Sequence, residues 1–192
     1  FEEYDTSRKN DELRTITRKK QLITRADGSV ELAYGNTSVI CAVTGPIACD
    51  RSKQLEDRAF IDVAISIIAP PVATPSSYIQ SSLYDASVRS SALQQQLTEF
   101  GESILQTTRY PGSKFMITLQ VIRDDGSLLS VCHNAIMEAI LHGGLPANMT
   151  TTAITVACIS YNDQIQFKVD PTLVQESQAN GVITVVMRNA AY

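Results

Sequence analysis

The stretch RDDGSLLSVCHNAIMEAILHGGLP, residues 123–146, sets two carboxylates, Asp124 and Asp125, beside Gly126 and Ser127 at the head of an apolar run. Carboxylates can hold Mg²⁺ or carry a proton. A glycine and a hydroxyl at a helix start can hold phosphate against backbone N–H groups. The same four residues also make a plain turn followed by a helix N-cap, and turn and capping preferences favour that reading. His133 and His142 share the following run with no acid cluster beside them, so both read as structural histidines. Cys41, Cys49, Cys132 and Cys158 show no C-x-x-C spacing, and with two histidines in reserve no metal site is expected. Each cysteine lies in or beside an apolar stretch, as buried, reduced thiols of an intracellular protein do.

Positive charge is the other chemical resource. The chain carries −4 overall, yet residues 1–25 hold seven of the 16 Lys and Arg residues and are net positive at +2, leaving −6 elsewhere. A basic edge on an acidic body could touch RNA or an acidic neighbour, or could be a solvated face. Arg51, Lys53 and Arg58 make a second basic loop. Tyr78, Tyr84 and Arg89 lie in a serine-rich stretch, where they could stack on and grip single-stranded RNA or sit in an ordinary exposed loop.

The elements that must position these residues follow from hydrophobic pattern. A chain of 192 residues, 44% hydrophobic and 19% charged, suits one domain with a sizeable core. No apolar run approaches the roughly 18 residues of a membrane span. The sequence begins at Phe1 with nothing resembling a signal peptide, so an excerpt of a longer protein is expected. LITRADGSVELAYG predicts a hairpin turning at Asp27-Gly28, and TSVICAVTGPI a buried strand ending at Gly45-Pro46. Ile61, Val63, Ile65 and Ile67 alternate in the next strand. Residues 70–90 read as an exposed loop. Leu93, Leu97, Phe100, Ile104 and Leu105 then recur at helical spacing. Phe115, Ile117, Leu119 and Val121 alternate again, and a second helix spans Leu128 to about His142, stopped by Gly143-Gly144. Two strands joined at Asn162-Asp163, a short helix over 172–179 and a strand from Val182 to Met187 complete an α/β (α+β) sandwich with a mixed sheet.

Four blocks in order resemble the RNase PH family, in particular the ring subunits of the eukaryotic RNA exosome. SRKNDELRTI resembles its opening motif, with Glu12-Leu13-Arg14 in place but Thr6-Ser7-Arg8 where Asp-Gly-Arg is usual. RADGSVELAYGNTSVICAVTGPI resembles the signature that carries Gly35-Asn36-Thr37 and Gly45-Pro46. Residues 109–146 resemble the A-D-G-G-T-R…N-A block, and FKVDPTLVQE the I-L-D-P-T segment. The resemblance covers essentially the whole chain. It implies a single RNase PH-like domain over 1–192, with a ribosomal protein S5 domain 2-like fold, and with 1–25 as a basic N-terminal segment and 70–90 as an exposed loop. The resemblance also implies a further strand and C-terminal helices beyond VITVVMRNAAY, so truncation or unresolved residues are expected there.

Active members use phosphate to attack the last phosphodiester of an RNA 3′ end. On this resemblance the acid falls on Asp124 and the hydroxyl on Ser127, while Leu128 stands where the phosphate-clamping arginine belongs. The upstream strand carboxylate falls near Ile117 or Leu119, both apolar. Ser90 to Thr108, where active members carry substrate-facing arginines, contains no Lys or Arg and holds Gln94-Gln95-Gln96. The resemblance therefore implies a catalytically silent subunit, with no catalytic residue, no cofactor and no metal. Asp124 and Ser127 are vestigial, and Arg89, Arg58 and Tyr84 are the RNA-contact candidates. Implied partners are other RNase PH-like subunits in a six-membered ring, cap subunits, an associated exonuclease and RNA in the ring channel, with no membrane. Implied locations are the nucleus, the nucleolus and the cytoplasm. The alternatives are an active phosphate-dependent 3′-to-5′ exoribonuclease subunit and a stand-alone RNA-binding module.

Overall fold

The computed structural model describes the backbone of residues 8–68, 79–161 and 164–190, and their side chains outside 79–89, 161, 164 and 190. Two sheets sandwich a helix. The first sheet has strand order β1-β2-β3-β5-β4, formed by β1 (Ile16–Lys20), β2 (Gly28–Tyr34), β3 (Thr37–Ala48), β4 (Phe60–Ile67) and β5 (Ser113–Arg123). It is mixed, because β4 runs parallel to β5 while the other pairs are antiparallel. The second is antiparallel, β7-β6-β8, from β6 (Met149–Tyr161), β7 (Gln164–Val169) and β8 (Gly181–Ala190).

Between the sheets lies α2 (Leu128–His142), buried on nearly every side. A helix apolar all round needs neighbours all round. It packs against β2 and β3 on one side and β6 on the other, with α1 (Ile79–Ile104) beside it over β4. Phe115, Ile117, Leu119 and Val121 point into this core with no exposure, while Met116, Thr118, Gln120 and Ile122 face outward. That is the alternation of a sheet wet on one face.

Three local expectations are corrected. The stretch 70–90 is not a loop throughout, since α1 begins at Ile79. No proline occurs after Pro75 in this region, and the parallel pair β4–β5 needs a long crossover that a helix supplies. Residues 70–78 of that expectation lie outside the described residues, as does the Asn162-Asp163 junction. Asp27-Gly28 is not the hairpin turn. Residues 21–27 join β1 to β2, and the two-residue turn is Gly35-Asn36, between paired Tyr34 and Thr37. Finally, β3 continues through Gly45-Pro46, which a bulge absorbs before the ladder resumes at Ile47 opposite Lys114.

Gly28 has a packing role instead. A Cβ there would overlap the Ala139 carbonyl and sit 2.9 Å from Gly143 N, so β2 meets the end of α2 glycine against glycine. Gly28→Ala is expected to destabilise the fold by about 1–3 kcal/mol through overpacking. Gly181→Ala, where a Cβ meets nothing within 4 Å, is expected to change stability by less than about 0.5 kcal/mol. Chemical denaturation of the two variants checks the difference.

Candidate functional site

The turn between β5 and α2 is built by close approach. The Gly126 N–H donates to Asp124 Oδ1 at 3.2 Å, and Gly126 adopts φ +85°. A Cβ on Gly126 would lie 2.5 Å from Leu173 N and 2.6 Å from Pro171 O. The turn therefore rests on the chain entering α3 (Leu173–Gln178), a short helix fixed by a capping box between Thr172 and Gln175.

Ser127 stands at the N-cap position of α2, but its side chain does not cap. It holds a left-handed conformation, φ +56° and ψ +25°, that costs a non-glycine residue roughly 1–2 kcal/mol. Two bonds hold it there. The Ser127 N–H donates to Glu176 Oε1 at 2.6 Å, and its hydroxyl donates to Pro171 O at 3.0 Å. The expected hydroxyl cap is thus replaced by a tie to α3, and the carboxylate of Glu176 stands at the head of α2.

Beneath the turn runs a buried arginine. Arg14 is 8% exposed and reaches Asp170 through Nε at 2.9 Å and Nη2 at 2.6 Å, a two-pronged pair. The same guanidinium donates to the carbonyls of Asp125 at 2.8 Å and Gly126 at 3.2 Å. The Thr37 hydroxyl also donates to the Gly126 carbonyl, at 2.7 Å, and accepts from Asp125 N at 3.1 Å. Arg8 adds a bond to the Asp170 carbonyl at 2.8 Å. Gly35, φ +56°, leaves room for Arg14, since a Cβ there would lie 2.8 Å from Arg14 Cδ. Arg14, Gly35, Thr37, Gly126 and Asp170 come from four separate sequence blocks and meet in one knot.

Electrostatics follow from that knot. Burial alone would raise the Asp170 carboxyl, but hydrogen bonds and charge from Arg14 outweigh burial and hold it below its ordinary value of 3.8. His133 is lowered from 6.5, chiefly by burial, although its bond to the Leu129 carbonyl acts the other way. Its ring meets Phe100 edge-on at 4.3 Å. Burial, with Cys132 close by, pushes the Cys41 thiol far up, and all four cysteines are free.

The positions singled out in the sequence fall as follows. Asp124 and Ser127 are buried in the turn, and Leu128 is 3% exposed as part of the core. Ile117 and Leu119 are core residues, and Gln94-Gln95-Gln96 is exposed on α1. Arg58 lies in the exposed loop before β4, paired with Asp57 at 3.2 Å, far in sequence from this turn. Tyr84 and Arg89 belong to α1, and their side chains lie outside the described residues. Among the described residues no three His, Cys, Asp or Glu side chains form a group that could hold a metal ion. Arg14, Thr37 and Asp170 lie within the signature blocks, but no role for them follows from the sequence alone, and nothing in the sequence singles out Glu176. The Thr172-x-x-Gln175 capping signal was the available pointer to α3.

A two-sheet sandwich around one central helix, with four signature blocks tied at that helix's head, is the build of an RNase PH-type domain. The chain belongs to the 3′ exoribonuclease family and matches its domain 1 over residues 12–146. It is 32% identical over 148 residues to a putative exosome complex component RRP41 of Caenorhabditis briggsae, covering 77% of this chain and 60% of that relative. It is 24% identical over 185 residues to the exosome complex exonuclease RRP46 homolog of Arabidopsis thaliana, covering 96% of this chain and 70% of the relative. The crystal structure of rice (Oryza sativa) Rrp46 superposes with a TM-score of 0.77 at 25% identity, over 95% of this chain and 78% of that one. An Archaeoglobus fulgidus exosome chain shares the fold, with a TM-score of 0.69 at 17% identity. The chain spans about 60% of the length of the RRP41 relatives.

Removing either partner of the buried pair leaves a charge without compensation. Arg14→Met is expected to cost about 3–5 kcal/mol in denaturant titration. The contribution of Asp170 is complete above 3.8 and is lost as pH falls through its depressed folded value. Asp170→Asn is therefore expected to be less stable at neutral pH and to show a flatter acid limb of stability against pH.

Proposed function

We propose that the chain is a catalytically silent subunit of an exosome's six-membered RNase PH-like ring. Its task in this reading is to complete an RNA channel that feeds an exonuclease held elsewhere. Family membership and the exosome names of its relatives support the assembly half of the reading. Cap subunits, the associated exonuclease, and residence in the nucleus, nucleolus and cytoplasm belong to the same proposal.

The single observation that carries the silent half is the charge at the head of α2. Phosphate held beside an RNA 3′ end needs cations to offset both anions. Here Leu128 packs into the core, and the Arg14 guanidinium is engaged by Asp170 and two backbone carbonyls. Glu176 meets the Ser127 N–H, and Asp124 and Asp125 lie in the adjoining turn. An incoming phosphate would meet carboxylates, not a clamp.

The outward face of the second sheet supports the assembly role. Phe167 is 63% exposed, Ile183 61% and Met187 58%, a concentration of exposed apolar side chains that points to an interaction surface. The stand-alone RNA-binding reading finds less support, because two cations of the basic N-terminal segment are buried and three exposed ones are partly offset by carboxylates of the chain. Arg8 and Arg14 are tied to Asp170, Arg18 and Lys20 pair with Glu138, and Lys19 pairs with Glu31.

The test is incubation of the chain, alone and in a reconstituted ring, with RNA, Mg²⁺ and phosphate. The expected outcome is no release of nucleoside diphosphates. Release that disappears with Asp124→Asn would establish the active reading instead.

A further inference from the structure

The basic strand β1 is left without a task by the proposed ring function, and it borders a cavity. β1 is an edge of the first sheet, all five of its residues exposed. Gln21 N bonds to Ser29 O and Gly35 N to Thr15 O, so the odd-numbered positions face β2. In an antiparallel pair the alternate residues turn their backbone groups the other way. Ile16, Arg18 and Lys20 therefore direct N–H and C=O to the free edge.

Ile16 and Arg18 also line a cavity of about 510 Å³, together with Leu32, Tyr34, Met137 and Leu141. That volume lies within the usual range of ligand sites. Its walls are mixed, with Asn134, Glu138 and Thr150 to Thr152 completing the lining, and Ile16 and Leu141 remain 46% and 54% exposed. Tyr34 is only 9% exposed. Its hydroxyl accepts from Asn134 Nδ2 at 2.8 Å and has, among the described residues, no acceptor for its own proton. At the rim Arg18 and Lys20 share one carboxylate, Glu138, at 3.1 and 3.9 Å, which leaves the cavity side of β1 net positive.

We propose that β1 and this cavity form a docking site for an extended, acidic protein segment that adds as a strand beside β1. Backbone bonds to Ile16, Arg18 and Lys20 would hold the segment, and its alternate side chains would enter the space over Ile16 and Tyr34. Apolar residues there bury against Leu32, Met137 and Leu141, and acidic ones meet Arg18, Lys20 and the Tyr34 proton. The short, charged character of β1 discourages pairing with a like edge and admits one of opposite charge. The inference stands whether or not the chain is catalytically silent.

The experiment titrates the full chain with a synthetic peptide alternating leucine and glutamate, followed by backbone amide shifts and fluorescence anisotropy. The comparison ligands are a peptide of the same composition with its leucines and glutamates in two blocks, and oligouridylate RNA. The alternating peptide is expected to bind saturably, shifting the amides of Ile16, Arg18 and Lys20. Arg18→Pro removes an outward N–H without touching the bonds to β2. It is expected to weaken binding about tenfold or more, against a few-fold for Arg18→Ala, which removes only the side chain. Leu141→Ser, at an exposed cavity wall, is expected to weaken it as well. Equal binding of the block peptide, wild-type affinity in Arg18→Pro, or saturable binding of oligouridylate in place of the peptide would each overturn the proposal.

Discussion

The buried pair of Arg14 and Asp170 joins residues 156 positions apart in the chain, and the site could not hold its shape without it. An arginine taken from water is tolerated only when its donors are satisfied, and here Asp170 and the carbonyls of Asp125 and Gly126 satisfy them. Those acceptors belong to the turn that opens α2 and to the segment that opens α3. Fixing Arg14 therefore fixes both, and with them the left-handed Ser127 and the position of Glu176. The glycines of the signature blocks follow from the same constraint. Gly35 gives the guanidinium stem its space, and Gly126 lets the turn rest on Pro171 and Thr172.

That arrangement changes what the signature means in this chain. In an active relative, acid, glycine and hydroxyl at a helix head suggest chemistry. Here Asp124 binds the Gly126 N–H, Ser127 binds the Pro171 carbonyl, and Leu128 is core. Each residue has a structural partner that accounts for its type. The motif ties four segments around α2. On the proposed reading, a phosphate clamp would need one further positive charge, and Leu128 supplies none.

Most of the architecture was legible from period alone. The alternation of Phe115 to Val121 and the apolar run of Leu128 to His142 gave β5 and α2 at their observed places. What failed was local and physical. The stretch from Ile79 to Ser90 is too polar to signal a helix by hydrophobicity, yet no breaker interrupts it and the parallel crossover needs it. Asp27-Gly28 looked like a turn, but its glycine serves contact with the Ala139 carbonyl. The division into two sheets leaves no mark in any single strand. In the site, the motif blocks were visible but their convergence was not. An arginine and an aspartate far apart in sequence look like surface charges until the fold buries them together.

The central claim is that the head of α2 is closed to phosphate by the chain's own groups. The direct measurement is a titration of the full chain with inorganic phosphate, read at the backbone amides of Gly126, Ser127, Leu128 and Leu129. The account predicts no saturable shift at millimolar phosphate. A saturable shift confined to these amides would contradict it and return the turn to the status of a working anion site.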